Sequence, residues 1–259
     1  MVLLALLLAQ APSTPPARPP EQVPAGTPGN AAPAEGPAGW KEKFDELWKK
    51  RDQPGVEQQL FDICQQQLKA EPKSFDANWR LASLYNWQAN TPGIDNDHKA
   101  QAGKLAWEAG DKAIAARPGD VHGQYQAGAG IGNYSEGVGI LTALSQGLEG
   151  KFRDRLLASL KIDKDYLDGM PQVVWGRYFY KLPWPKRDVD QSEKVLQEAM
   201  ESHPTNMRAR LYLADSLWDN GKKAEAKRLV QDILDNKESN DPPEDKRVRE
   251  LAQDWTKNH

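Results

Sequence analysis

The sequence predicts an all-α fold, a solenoid of antiparallel helix pairs with inserted loops. Three observations predict it. First, a proline is followed nine residues later by an apolar residue and a small one, with another apolar side chain three further on. This occurs at Pro72 with Leu81-Ala82 and Tyr85, at Pro118 with Ala127-Gly128 and Ile131, and at Pro204 with Leu213-Ala214 and Leu217. Second, small or apolar residues spaced four and three apart lead into two of these prolines, Ala106, Gly110 and Ala113 before Pro118 and Ser192, Leu196 and Ala199 before Pro204. That spacing marks one face of a helix. Third, boundary signals fall where helices should end or begin: Asn220-Gly221 as a C-cap, Asp190 with Glu193 as a capping box, and Asp241-Pro242-Pro243-Glu244 opening a last helix.

Taken along the chain, residues 1–11 read as a signal peptide. Val2 to Ala9 form an apolar run too short to span a bilayer, and Ala9-Gln10-Ala11 is a small-x-small cleavage pattern. A positive n-region is missing from this sequence, and no cysteine follows the run to take a lipid. Residues 12–39 are mainly Pro, Ala and Gly and read as an extended, disordered linker, because so few large apolar side chains cannot offset the entropy of ordering. Residues 40–259 are the helical-repeat domain. Each unit is a pair of helices that needs the next pair to bury its apolar stripe. The proline stops the second helix, since it lacks an amide hydrogen and disfavours helical geometry in the residue before it. Ala82, Gly128, Gly176 and Ala214 are expected to let the first helix lie close on the second. A fourth copy carries Trp175-Gly176 and Phe179 without the leading proline. Two stretches are too long for simple turns: Tyr85 to Ala106, with Asn90-Thr91-Pro92-Gly93, and Ile131 to Phe152, which has room for an extra helix around Glu136 to Gln146.

Composition excludes several function classes. The formal charge of -3 becomes -2 when Arg18, Glu21 and Glu35 are set aside with the N-terminal segment, so no strong field draws nucleic acid or anionic lipid. Cys64 is the only cysteine and sits among Leu60, Phe61 and Ile63, which reads as a small buried helix residue. His98, His122, His203 and His259 are scattered and give no metal-ligand spacing, so no metal and no cofactor is expected. Gly128-Ala129-Gly130-Ile131-Gly132 lacks the third glycine of a dinucleotide fingerprint and lies in a helical stretch. No Gly-x-Ser-x-Gly elbow is present, and acidic residues sit in mixed-sign runs such as Lys222-Lys223-Ala224-Glu225. A binding protein is expected, not an enzyme.

The apolar and small pairs, the aromatic positions and the Ala-x4-Pro endings resemble the tetratricopeptide-repeat (TPR) family over most of 40–259. More narrowly, Ala143-Leu144-Ser145 through Pro185, above all Trp175-Gly176-Arg177-Tyr178-Phe179-Tyr180-Lys181-Leu182-Pro183-Trp184-Pro185, is similar to the periplasmic T-component proteins of TRAP-type transporters. The first resemblance implies a scaffold that binds a protein or peptide partner through its concave face, and the signal peptide makes it an exported, periplasmic or secreted one. The second implies a periplasmic subunit that associates with a solute-binding protein and holds an apolar small molecule. In the TPR pattern the concave wall is lined two before, two after, five after and six after the Leu position of the first helix. Those offsets give Trp79, Asn86 and Trp87, then Tyr125 and Asn133, then Arg177, Tyr180 and Lys181, and last Leu211, Asp215, Trp218 and Asp219. Trp107 and Trp175, two of nine tryptophans, fall at packing positions and are expected in the core. If the two long stretches close the concave side into a lined cavity, a small-molecule carrier is expected; an open groove points to a scaffold.

Overall fold

The computed structural model describes residues 39–236 and 239–259; the expected signal peptide and all but Gly39 of the expected linker lie outside the described residues. Among these, every regular element is an α-helix. The pairs are α1 (Trp40–Trp48) with α2 (Val56–Ala70), α3 (Phe75–Ala89) with α4 (Asn96–Ala116), α5 (Val121–Val138) with α7 (Leu148–Ile162), α8 (Tyr166–Lys181) with α9 (Val189–Ser202), and α10 (Met207–Asp219) with α11 (Lys223–Asp235). A short α6 (Ile140–Ser145) interrupts the third pair, and α12 (Pro242–Asn258) ends the chain. The fold is an all-α, TPR-like solenoid of antiparallel helix pairs. The α1–α2 pair stands ahead of the first proline-led unit, where no repeat signal foretold it.

Each repeat proline does what its chemistry dictates. Helices α2, α4 and α9 end at Ala70, Ala116 and Ser202, two residues before Pro72, Pro118 and Pro204. The helices after Pro118 and Pro204 are capped by side chains: Asp120 accepts from the amide of His122, and Asn206 from that of Ala209. The fourth copy, which lacks its proline, starts differently. Leu167, Asp168 and Gly169 adopt left-handed φ of 50°, 57° and 78° inside α8, and the helix restarts into Pro171. For residues with a Cβ this conformation costs roughly 1–2 kcal/mol each. The α9–α10 turn holds it: Asn206 Nδ2 donates to the Asp168 carbonyl at 2.7 Å, and Thr205 Oγ1 to the Asp168 carboxylate at 3.0 Å.

Four expectations need correction. The cap of α9 is Asp188, which accepts from the Gln191 amide, because the helix begins one residue before Asp190. The extra residues after Tyr85 mostly lengthen α4, which runs 21 residues, and leave only a short loop before its cap Asp95. Trp107 and Trp175 are half-buried and lean on the Ile131–Phe152–Leu156 cluster instead of filling it. The closest helix approach is also not where it was expected. Gly128 lies close to α7, where a Cβ would stand 3.3 Å from the Arg155 Cβ, but a Cβ on Gly130 would stand 2.4 Å from the Trp107 backbone nitrogen and one on Gly103 2.3 Å from that of Tyr134. Gly110 and Gly137 meet backbone at 2.6 and 2.5 Å. These glycines recur every seven residues on α4 and α5, so the two backbones touch along their length. Gly176 does act as expected, lying against Leu196 of α9.

The last helix returns to the first units. Helix α12 packs on α10 and α11 through Val248, Ala252 and Trp255. Its N-terminal turns reach the loop after α1 and the end of α3: Arg51 pairs with Asp241 at 2.5 Å and Lys246 with Asp52 at 3.1 Å. Arg247 lies over the Trp87 ring at 3.2 Å and donates to the Trp87 carbonyl at 2.7 Å. The solenoid is thereby closed on itself.

Candidate functional site

Closure leaves a cavity of about 1010 Å³ on the concave side. The first helices of the pairs supply most of its wall, α12 another part, and the two long stretches contribute Asn90 to Ile94 and Ile140, Ala143 and Leu144. Of the residues placed on the concave face from sequence, Asn86, Trp87, Tyr125, Asn133, Arg177, Lys181, Leu211 and Asp215 line it. Trp79, Tyr180, Trp218 and Asp219 do not. Trp79 packs between Arg80 and His122, at 4.2 and 4.4 Å. Tyr180 is held between Arg177 and Arg187, and burial with Asp215 and Asp219 nearby pushes its hydroxyl up to about 12. Asp219 pairs with Arg187. Trp218 packs edge-on against Trp255 at 5.4 Å and under Lys223.

The α3–α5 side of the cavity carries an amide ladder. Asn133 Nδ2 donates to Asn86 Oδ1 at 2.9 Å, Asn86 Nδ2 to Gln126 Oε1 at 2.9 Å, and Gln126 Nε2 reaches Tyr166 at 3.5 Å. Bonded amides of this kind fix a register and hold α3 and α5 in one orientation.

The α8–α10–α12 side is ionic. Arg177 pairs with Asp215 at 2.6 Å, and Asp215 also accepts from Trp255 Nε1 at 2.9 Å. Arg208 pairs with Glu244 at 2.5 Å and donates to the Tyr212 hydroxyl at 3.2 Å. Glu136 binds Lys99 at 2.5 Å and Lys181 at 3.4 Å. Burial alone would raise the Glu136 carboxyl, but Lys181 and Lys99 outweigh it and hold it down to about 2. Burial also opposes the charge on Glu244, yet Arg208 and Arg247 keep its carboxyl below the usual range. Sequence reasoning missed Arg208, Tyr212, Glu244 and Arg247. On α10 a signal existed, since Arg208, Tyr212 and Asp215 stand four and three apart on one face. For α12, which lies outside the repeat rule, there was none.

Among the described residues no group of His, Cys, Asp and Glu is placed to hold a metal ion, and no helix is long and apolar enough to cross a membrane. Cys64 is fully buried in α2, where burial pushes its thiol up to about 12.

Residues 186–244, from the loop before α9 to the first turn of α12, match the tetratricopeptide repeat family model. That stretch resembles a tetratricopeptide repeat. Among solved structures the chain is similar to pilF of Pseudomonas aeruginosa, at 17% identity over 74% of each chain with a TM-score of 0.46. It is also similar to MamA, at 15% identity over 74% of this chain and 89% of that one with a TM-score of 0.42, and to a second MamA structure at 14%, 83%, 97% and 0.44. No curated protein matches it. The repeat assignment thus rests on the 186–244 match and on the helix pairs themselves.

Proposed function

We propose that this TPR chain is an exported binding protein that holds a small molecule with an apolar body in its concave cavity. One observation carries the reading: α12 and the two long stretches wall in part of the concave groove and leave a cavity of about 1010 Å³, the size of a small-molecule site. An open groove would suit a long peptide instead. Glu136, Asp215, Asp241 and Glu244 of the cavity are bound to cations, and Glu136 and Glu244 are held ionised, which suits orientation of a ligand better than proton donation.

A helical carrier of this kind fits the T-component resemblance, in which a periplasmic subunit works with a solute-binding protein. The TPR fold is a protein-interaction fold, and the outer surface offers a contact for such a partner. Trp184 is 88% exposed between Pro183 and Pro185, at the end of the segment that carries the resemblance. Export through residues 1–11 belongs to the same proposal; intact mass of periplasmic material starting near Pro12 is its expected result, and an uncut Met1 would remove it.

Native mass spectrometry of protein purified from its own host without detergent tests the carrier reading. A discrete added mass that leaves on denaturation is expected. Apo protein alone, together with no uptake from an apolar small-molecule library, would sink it.

A further inference from the structure

If the cavity is a binding site, its charge distribution identifies the head of the ligand, and that identification rests on the carrier reading. Part of the wall is apolar, formed by Ile140, Leu144, Leu148, Phe152, Val174 and Leu182. Another part is built from four guanidinium groups, those of Arg51, Arg177, Arg208 and Arg247. Three of them have one carboxylate each: Asp241 for Arg51, Asp215 for Arg177 and Glu244 for Arg208. Arg247 has none. It is 7% exposed, makes one hydrogen bond, to the Trp87 carbonyl, and forms no ion pair among the described residues. A buried guanidinium without a carboxylate is costly, by several kcal/mol in general.

Donors are in excess as well as charge. The buried Nε of Arg51, Nε of Arg177 and Nη2 of Arg208 have no acceptor, and Arg177 spends only Nη1 on Asp215. The Tyr212 hydroxyl senses the surplus, since burial should raise it and Arg208 and Arg177 instead bring it below its ordinary value. The remaining lining acids do not compensate. Glu136 is shared by two lysines, Glu149 pairs with Lys186, Asp254 with Lys257, Asp168 is held by His203 and Thr205, and Asp245 bonds Ser239 while burial raises its carboxyl toward the neutral form.

We propose that this arginine end of the cavity takes the carboxylate of a monoanionic amphiphile whose apolar chain lies along the Ile140–Leu182 wall. One negative charge balances the one unmatched guanidinium, and a planar two-oxygen head matches the donor fork of arginine. A dianion overshoots the balance, and a cation meets four like charges.

The test is a tryptophan-fluorescence titration of the full chain, since Trp87 and Trp255 line the cavity. The probes share a chain and differ in the head: dodecanoate, dodecanol and dodecylamine. Dodecanoate is expected to bind at least tenfold tighter than dodecanol, with dodecylamine weakest. Arg247→Met is expected to erase that advantage. Because Arg247 also ties α12 to Trp87, Arg177→Met serves as a second variant away from that contact, with circular dichroism confirming the fold of each. Equal binding of dodecanol, tighter binding of dodecylamine, or an advantage that survives both substitutions overturns the head assignment and leaves the cavity reading standing. If none of the three probes binds, both readings fall.

Discussion

At Gly130 a single missing carbon decides how closely two helices pack. A Cβ there would meet the Trp107 nitrogen at 2.4 Å and the Gly103 carbonyl oxygen at 2.9 Å, all backbone that cannot yield. At Gly132, two residues on and facing another way, the same carbon meets only the edge of the Phe152 ring at 3.2 Å. Helix propensity favours alanine by about 1 kcal/mol at both positions. Gly130→Ala is therefore expected to lose about 3 kcal/mol or more in urea denaturation, overpacking winning over propensity, while Gly132→Ala stays within about 1 kcal/mol of the parent. Equal effects at the two sites would mean that α4 and α5 do not touch. Cys64 gives a second residue-scale test. Buried and with its thiol pushed up to about 12, it should resist a thiol-specific chromophore at pH 8 in native protein and react fully in urea. The burial of Cys64 was legible from its apolar neighbours alone. The opposite holds for Gly130, because a run of glycines in sequence does not say which of them faces a backbone and which a side chain.

Helices are positioned as much by shared ions as by apolar faces, and Glu136 shows how. From α5 it binds Lys99 of α4 and Lys181 of α8, with 29% of its side chain exposed. Its folded value, about 2, lies below the ordinary 4.5. Such a group stabilises the fold at pH values above its unfolded value, and that contribution is lost as pH falls from about 4.5 toward 2. Glu136→Gln should remove on the order of 2–3 kcal/mol at pH 7 and nearly nothing at pH 2, so its chemical-denaturation stability should be the flatter function of pH. A difference that persists unchanged to pH 2 would assign the loss to packing. Where a proline marks the unit, the helices were readable from sequence, because proline acts on the backbone locally at Pro72, Pro118 and Pro204. Where the unit lacks one, as at α8, tertiary bonds from Thr205 and Asn206 set the start, and no local rule reports those. The concave register carried over at Asn86, Trp87, Asn133, Arg177, Lys181 and Asp215 because neighbouring first helices keep their rotation. It failed at Trp218 because α12 covers that end of α10.

The molecule as a whole is shaped by contacts that sequence patterns cannot announce. Arg247 and Trp87 stand 160 residues apart, and Arg51 and Asp241 stand 190 apart. The cavity exists because of them. Asp52→Asn combined with Asp241→Asn removes the ionic ties while asparagine keeps the cap of α12. The pair is expected to raise hydrogen exchange in α12 and around residues 48–52, and to increase the radius of gyration, with little change in helix content. High salt should move the parent protein the same way, though less, since Arg51 is nearly buried. Unaltered exchange in α12 would show that Arg247 and Trp87 hold the closure without charge. In a linear stack of repeats each terminal unit has one neighbour, and melting begins there. Here the first and last units are tied by Arg51 to Asp241, Lys246 to Asp52 and Arg247 to Trp87, so neither end of the lattice is wholly free. Thermal loss then has no tip to start from, and the structure fails as a hoop fails, at its clasp, releasing whatever it encircles in the same event.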